Sequence, residues 1–365
     1  MSRYRTTCLN EWGWTEHENA HWSTVPAGSI AARIVCRYSA TWRVIIPSGS
    51  RETLVEASGA FQYLCAGPQD YPVVGDWVAL SCNGPIIQQL LPRRTTITRQ
   101  EAGRAARAQV LATNVDIALL VFGLDGGRNF SIGLLERFLT LTAAGGVEPV
   151  VVLNKADRAS LEQILSVRIQ AESIRPGVTL CVTSARNGTG IAELRDLVPS
   201  GRTACCLGRS GVGKSSIMNA LLGQPLLRTA EVNRIQNKGR HSTTNSQLRV
   251  IPGRESTTSG GMLIDTPGLR ELQLWGAEES LYESFADIHE FAPDCRFRDC
   301  RHQGEPGCAV QRAVAEGIIP HQRLEHYLEQ REELSEAALR NQMGAAAYEK
   351  RRWKQITREV RRQRV

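Results

Sequence analysis

Between Gly208 and Ser216 the chain reads GRSGVGKSS, which fits the spacing G-x-x-x-x-G-K-[ST] with Gly208, Gly213, Lys214 and Ser215 at the fixed positions. Glycines at this spacing let the backbone N–H groups of Gly208, Arg209, Ser210, Gly211, Val212 and Gly213 curl around an anion with no side chain in the way. A helix that opens at the end of the loop adds partial positive charge at the same point. Lys214 is then placed to reach the β- and γ-phosphates of a nucleotide, and Ser215, followed by Ser216, offers a hydroxyl to Mg2+. The apolar run TACCLG just ahead reads as a strand, which is the context this chemistry needs.

The tetrapeptide DTPG, Asp265 to Gly268, follows the apolar GMLI. A carboxylate at that strand end can hold Mg2+ through water, and the Gly268 backbone N–H can donate to a γ-phosphate. Another strand-like run, VVVL, leads into NKAD: Asn154, Lys155, Ala156 and Asp157. Asp157 can accept from guanine N1–H and from the exocyclic amine, a donor pair that adenine lacks, so a site built on it rejects adenine. Asn154 is expected at the opposite edge of the base, with the Lys155 stem along its face. After the next strand comes TSA (Thr183, Ser184 and Ala185), whose backbone suits the guanine O6. The base-reading stretch therefore precedes the phosphate-reading one, the reverse of the order found in most GTPases.

The segment CRFRDCRHQGEPGC supplies Cys295, Cys300, His302 and Cys308. Three thiolates and an imidazole complete a tetrahedral Zn2+ shell and leave no open position, so one structural ion is expected. Arg296, Arg298 and Arg301 make this knuckle basic. Ten cysteines in 365 residues do not make a disulfide scaffold, and those outside the cluster read as structural.

Three kinds of segment must position these residues. From about Ala31 to Pro92, five short runs (ARIVCRY, TWRVIIP, TLVEASGAF, VVGDWVAL and PIIQQLL) alternate with Gly and Pro, which suggests a small antiparallel barrel. The pattern alone leaves OB-type and SH3-like barrels open. After an arginine-rich connector, the buried runs NVDIALLVFG, EPVVVLN, VTLCVTS, TACCLG and GMLID alternate with helical stretches, the signature of a parallel sheet covered on both faces. One helix is expected near Leu161–Ile174. Beyond Trp275 the pattern is helical and polar, with a long charged helix in HQRLEHYLEQREELSEAALR. The expected limits are an extension at 1–30, a barrel at 31–100, a nucleotide domain at 101–275, a helical metal-binding domain at 276–347 and a basic tail at 348–365.

Hydrophobic and charged fractions of 42% and 22% indicate a soluble globular chain. No apolar run approaches the ~20 residues of a membrane span, and the N-terminus lacks the apolar core of a secretory signal, so cytoplasm and no membrane partner are expected. The net charge of +7 is concentrated in the tail from Tyr348 and in the connector around Arg93, Arg94, Arg99, Arg104 and Arg107. Such clusters suit phosphate-rich partners.

The order of these motifs resembles the ribosome small-subunit-dependent GTPase A family (RsgA, also called YjeQ), a circularly permuted GTPase. The resemblance covers nearly the whole chain and is carried by VGDWV, NKAD ahead of GRSGVGKSS, GRHSTT, DTPGLRE and the cysteine cluster. It implies a multidomain chain with an N-terminal OB-fold barrel, a central permuted P-loop GTPase domain of α/β class and a C-terminal helical zinc domain. It also implies GTP with Mg2+ as ligand, late maturation of the small (30S) ribosomal subunit, and 16S rRNA as partner, with the subunit stimulating hydrolysis. A monomer is expected. The reversed order makes DTPG the last core element before the cysteine-rich segment, so the part that senses γ-phosphate is tethered directly to it.

Ras-like GTPases place a water-orienting Gln just after D-x-x-G, but here that residue is Leu269, which predicts a slow intrinsic rate. The expected replacement is His241 in GRHSTT, with Thr243 or Thr244 as the second Mg2+ hydroxyl. Leu269 also leaves room for an RNA-binding scaffold that holds GTP merely as a ligand. Asp157 argues against a P-loop enzyme that uses ATP.

Overall fold

Short runs rich in apolar and β-branched residues build β1 (Ile30–Arg37), β2 (Trp42–Ile46), β3 (Arg51–Ala57), β4 (Trp77–Leu80) and β5 (Ile86–Leu90). The computed structural model describes residues 8–49, 51–100, 108–125, 130–209, 211–224, 246–253, 259–265, 281–282 and 284–343. These first strands run in the order β1-β2-β3-β5-β4, and β4 pairs back onto β1. That Greek-key closure is the OB-type barrel, so strand order settles a choice that five short runs leave open. Ile34, Trp42, Val44, Val78 and Ile87 fill its interior.

Ahead of the barrel, Thr15 and Glu18 form a capping box that starts α1 (Glu16–Trp22). Trp14 lies edge-on to Trp77 of β4, centroids 4.8 Å apart, and to Trp22 at 5.3 Å. Leu9 and Leu91 complete this cluster and Trp12 packs against it, so the early tryptophans cover the barrel. The run TLVEASGAF does not stay extended to its end. Ser58 Oγ accepts the Phe61 N–H and starts α2 (Gly59–Leu64), which buries Phe61 in the barrel core.

The connector contains a two-stranded pair, β6 (Thr96–Gln100) with β7 (Ala108–Thr113). Beyond it, apolar runs form β8 (Ile117–Gly123), β9 (Glu148–Asn154), β10 (Thr179–Val182) and β11 (Thr203–Leu207). They alternate with α3 (Ile132–Ala144), α4 (Leu161–Ile174), α5 (Ile191–Asp196) and α6 (Lys214–Leu222). Ser160 caps α4 in a capping box with Gln163, which is why that helix starts where the pattern predicts. Two further strands, β12 (Gln247–Pro252) and β13 (Ser259–Asp265), complete the sheet in the order β10-β9-β8-β11-β13-β12. All its neighbours are parallel except β12 with β13. Strand β12 was not anticipated, because QLRVIP mixes polar residues and a proline into a run with only one buried face. It also meets β1, with Gln247 opposite Cys36, so barrel and core share one continuous sheet.

The VGDWV stretch and one buried arginine lock this junction. Gly75 has φ +98°, and a Cβ there would stand 2.1 Å from the Thr113 carbonyl oxygen, so only glycine fits. Asp76 accepts two hydrogen bonds from Arg93, both at 2.9 Å. Arg33 of β1 is wholly buried and donates to the carbonyls of Gly75 (3.2 Å) and Asn114 (3.1 Å), to Thr203 Oγ1 (3.0 Å) and to the Trp12 carbonyl. Burial lowers its guanidinium to about 10, opposed chiefly by Asp116, so it stays charged at neutral pH. Arg33→Ala would take the guanidinium from the Asn114 and Trp12 carbonyls and leave a cavity, while the Gly75 carbonyl would keep its bond from the Asn114 side-chain amide at 3.1 Å. Such a change is expected to cost about 3–5 kcal/mol, read as a drop in the urea midpoint.

The chain divides into two compact units, one of Met1–Ile97, Val110–Phe138 and Gly145–Glu271, the other of Thr98–Gln109, Leu139–Ala144 and Leu272–Val365. The second unit contains α7 (Ala286–Phe291), α8 (Ala309–Ala315) and α9 (His321–Met343). Phe285 and Tyr327 pack 5.5 Å apart at its centre, and the Arg323 guanidinium covers Phe285 at 4.8 Å while pairing with Asp287. Among the described residues no helix is long and apolar enough to cross a membrane.

Candidate nucleotide site and metal cluster

The carboxyl ends of β8, β9, β11 and β13 lie side by side, where an open α/β sheet binds its ligands. Past Leu207 the chain enters the glycine-rich loop. Gly213 has φ +97°, and a Cβ on it would lie 2.2 Å from the Asn154 amide nitrogen, so the phosphate-type loop and NKAD are in direct contact there. Gly208 and Val212 are buried, Arg209 and Gly211 exposed. Lys214 opens α6, with Ser215 and Ser216 in its first turn. The Lys214 ammonium reaches back over the loop and donates to the carbonyls of Gly208 (2.7 Å) and Arg209 (2.8 Å).

Asn154, at the end of β9, is 2% exposed. Its amide nitrogen donates to the Val212 carbonyl at 2.9 Å, and its oxygen accepts the Ala185 N–H at 3.2 Å and the Thr183 hydroxyl at 3.4 Å. One side chain thus ties together three loops, a task beyond the base-edge role that its sequence position suggested. Lys155 adopts the left-handed region at φ +66° and turns the chain into a short 3-10 turn, Ala156–Arg158. The Ala156 N–H donates to the Thr183 carbonyl at 3.0 Å, which anchors the turn on the TSA loop.

Asp157 is held by the Ser184 hydroxyl, which donates to it at 2.6 Å. That hydrogen bond lowers the carboxyl below its ordinary range; burial opposes the shift, while Arg158 and Arg186 favour it. The group stays an ionised double acceptor, as reading two N–H donors requires. Asp265 ends β13, one strand from the phosphate-type loop, with Cys205 of β11 opposite Ile264. Burial raises its carboxyl, opposed by Arg249 and Lys214. A nearby divalent cation would oppose that shift and favour the ionised carboxylate.

Of the other sequence-expected residues, Ser210, His241, Thr243, Thr244 and Gly268 lie outside the described residues. Three features escaped the sequence reading: the side-chain role of Ser184, Arg249 near Asp265, and Asp125 bonded to Lys155 at 2.5 Å. Hydrogen bonding to a known motif residue is a tertiary property, and no local pattern marks it.

In the second unit, one ligand atom from each of Cys295, Cys300, His302 and Cys308 lies within 4.8 Å of the others. The Cys295 and Cys308 sulfurs are 3.9 Å apart, and His302 Nδ1 is 3.7 and 3.4 Å from them. Tetrahedral thiolates with Zn–S near 2.3 Å need S···S separations of roughly 3.8 Å, so the set fits that ion. Burial opposes ionisation of Cys295, but the backbone N–H groups of Val310 and Ala309 override it and hold its thiol below the usual range. Burial pushes Cys300 up to about 12 and keeps His302 neutral, the form in which imidazole ligates. Sulfurs this crowded ionise together only around a cation. Gln311 supports the cluster by donating to the His302 carbonyl at 2.7 Å.

Comparison with known proteins agrees with this geometry. The family model described as RsgA GTPase matches residues 90–275. The small ribosomal subunit biogenesis GTPase RsgA of Xylella fastidiosa (strain M23) is 44% identical over 289 residues, 79% of this chain and 83% of that protein. The protein of the same name from Syntrophotalea carbinolica is 36% identical over 366 residues, 97% of each chain. The crystal structure of YjeQ from Thermotoga maritima superposes with a TM-score of 0.61 at 29% identity, covering 84% of this chain and 98% of that one.

Proposed function

The chain belongs to the RsgA GTPase family and is a GTP hydrolase, and from that premise we propose that it acts in the cytoplasm, as a monomer, in late maturation of the small ribosomal subunit. The observation that carries this reading is the 2.9 Å bond from the Asn154 amide to the Val212 carbonyl, between residues 58 apart in sequence. It supports a single pocket in which Asp157, Lys155 and the Thr183–Ala185 loop take the guanine while Gly208–Ser216 take the phosphates. Mg2+ would be held by Ser215, Asp265 and one of Thr243 and Thr244, and it would neutralise charge that develops between the β- and γ-phosphates. Lys214 would stabilise charge on the same oxygens, and the Gly268 N–H, outside the described residues, is proposed as a donor to the γ-phosphate.

The proposed domain limits are a barrel at 31–100, a nucleotide domain at 101–275 and a zinc domain at 276–347, with a basic tail at 348–365. Barrel, zinc module and tail would grip 16S rRNA. The knuckle arginines Arg296, Arg298 and Arg301 are exposed and available for phosphate contacts. With Leu269 where an amide would orient water, hydrolysis depends on His241 being ordered by the bound subunit.

GTP turnover measured with and without purified small subunits tests this. A rise of about 10³- to 10⁵-fold with subunits is expected, collapsing at high salt as phosphate contacts weaken. His241→Ala should keep GDP binding but abolish the stimulated component. A rate indifferent to subunits would end the proposal, and an unaltered stimulated rate in the variant would remove His241 from it.

A further inference from the structure

We propose that Asp125 is a positioning residue for the guanine base, acting through Lys155; this rests on the nucleotide reading given above. The β8–β9 ladder runs in parallel register to Gly123 opposite Asn154, and the Leu124 N–H extends it by donating to the Asn154 carbonyl at 2.9 Å. Lys155 is the first residue past the end of β9 and Asp125 the second past the end of β8, so the two adjacent strand ends bring them within reach of each other. The Lys155 ammonium donates to Asp125 Oδ2 at 2.5 Å, with the two side chains 21% and 20% exposed.

The backbone turn at Lys155, with φ +66°, points the chain into the base loop, but it does not order a four-carbon stem. A free lysine stem samples many rotamers, and a base laid along it would have to freeze them on binding. Asp125 freezes them beforehand with a charge-assisted bond in a mostly covered place. The stem then forms a standing wall for one face of the base, while Asp157, held by Ser184, reads its edge. N-K-x-D as a motif does not say what holds its lysine; here the acidic residue after β8 does.

Four proteins test the assignment: the unsubstituted chain, Asp125→Asn, Lys155→Met and the double variant. Each is measured for Kd of a fluorescent GDP derivative, for KM and kcat with GTP, and for thermal unfolding. Asp125→Asn is expected to raise Kd about ten-fold, with the loss falling on KM more than on kcat and no matching fall in Tm. In the Lys155→Met background the same change should alter Kd by less than about two-fold, because its route to the base is gone. Additive effects around the cycle, or an Asp125→Asn Kd within about two-fold of the parent, would overturn the role of Asp125 and leave the nucleotide reading standing. Failure of the unsubstituted chain to bind the GDP derivative would overturn that reading, and this assignment with it.

Discussion

Asp157→Asn is expected to weaken GDP binding by roughly 10²- to 10⁴-fold and to turn the preference toward xanthosine diphosphate. In the proposed site the native carboxylate would offer two acceptor oxygens to two guanine donors, and each hydrogen bond to a charged group contributes about 1.5–3 kcal/mol. An asparagine replaces one acceptor with an N–H donor, which then faces the exocyclic amine of guanine, donor against donor. Xanthine carries a carbonyl at that position and accepts the new hydrogen bond. Rotation of the new amide cannot rescue guanine, because one of its two edges is always the wrong sign. The Ser184 hydroxyl, 2.6 Å from Asp157, adds a second observable. Because that bond lowers the carboxyl, with burial opposing it, base selection should fail at a lower pH than an ordinary aspartate would give. Competition between GDP and xanthosine diphosphate for a fluorescent ligand, followed across pH, measures both effects. Equal affinities in parent and variant would show that Asp157 does not face the base.

With zinc bound as the Cys3His donor set would allow, its removal, or replacement of Cys308 with serine, is expected to unfold the knuckle while GDP binding survives. Zinc sites of this kind couple about 10–16 kcal/mol of binding to folding in isolated peptides, so the local loss is large. Cys308 has two tasks. Its sulfur belongs to the cluster, and it also accepts the Gln311 N–H at 3.4 Å as the N-cap of α8. Gln311 also donates to the carbonyl of His302, which sits at φ +60°, so loosening of Cys308 should be felt at His302 through the same residue. The hydrophobic centre of Phe285 and Tyr327 lies beside this cluster, with the His302 and Tyr327 rings 6.5 Å apart, so melting should spread into α9. Circular dichroism and hydrogen exchange during chelation should show helix loss confined to the second unit, with about one zinc released per chain. Unchanged exchange across 284–343 after complete chelation would mean that the cluster has no structural role.

Both predictions draw on residues that were readable as motifs, and the reason is physical. A phosphate cradle needs glycines followed by a helix start, a guanine reader needs a carboxylate after a buried strand, and a closed zinc shell needs four soft donors on short loops. Each requirement falls on residues near in sequence, so GRSGVGKSS, NKAD and CRFRDCRHQGEPGC declare themselves. The same locality made α4 legible through Ser160 and Gln163, and β8 and β9 through their unbroken apolar runs. Composition and spacing alone therefore determined the chemistry and the reversed order in which its parts appear. Only the tertiary structure decided that five short strands close as 1-2-3-5-4, that the polar run QLRVIP becomes the strand joining barrel to core, and that Arg33 is buried at their junction. It likewise decided that Asn154 holds three loops together and that Asp125 grips Lys155. Those facts depend on which distant backbone groups are left needing a partner once the strands have paired, and no window of sequence contains both halves of such a pair.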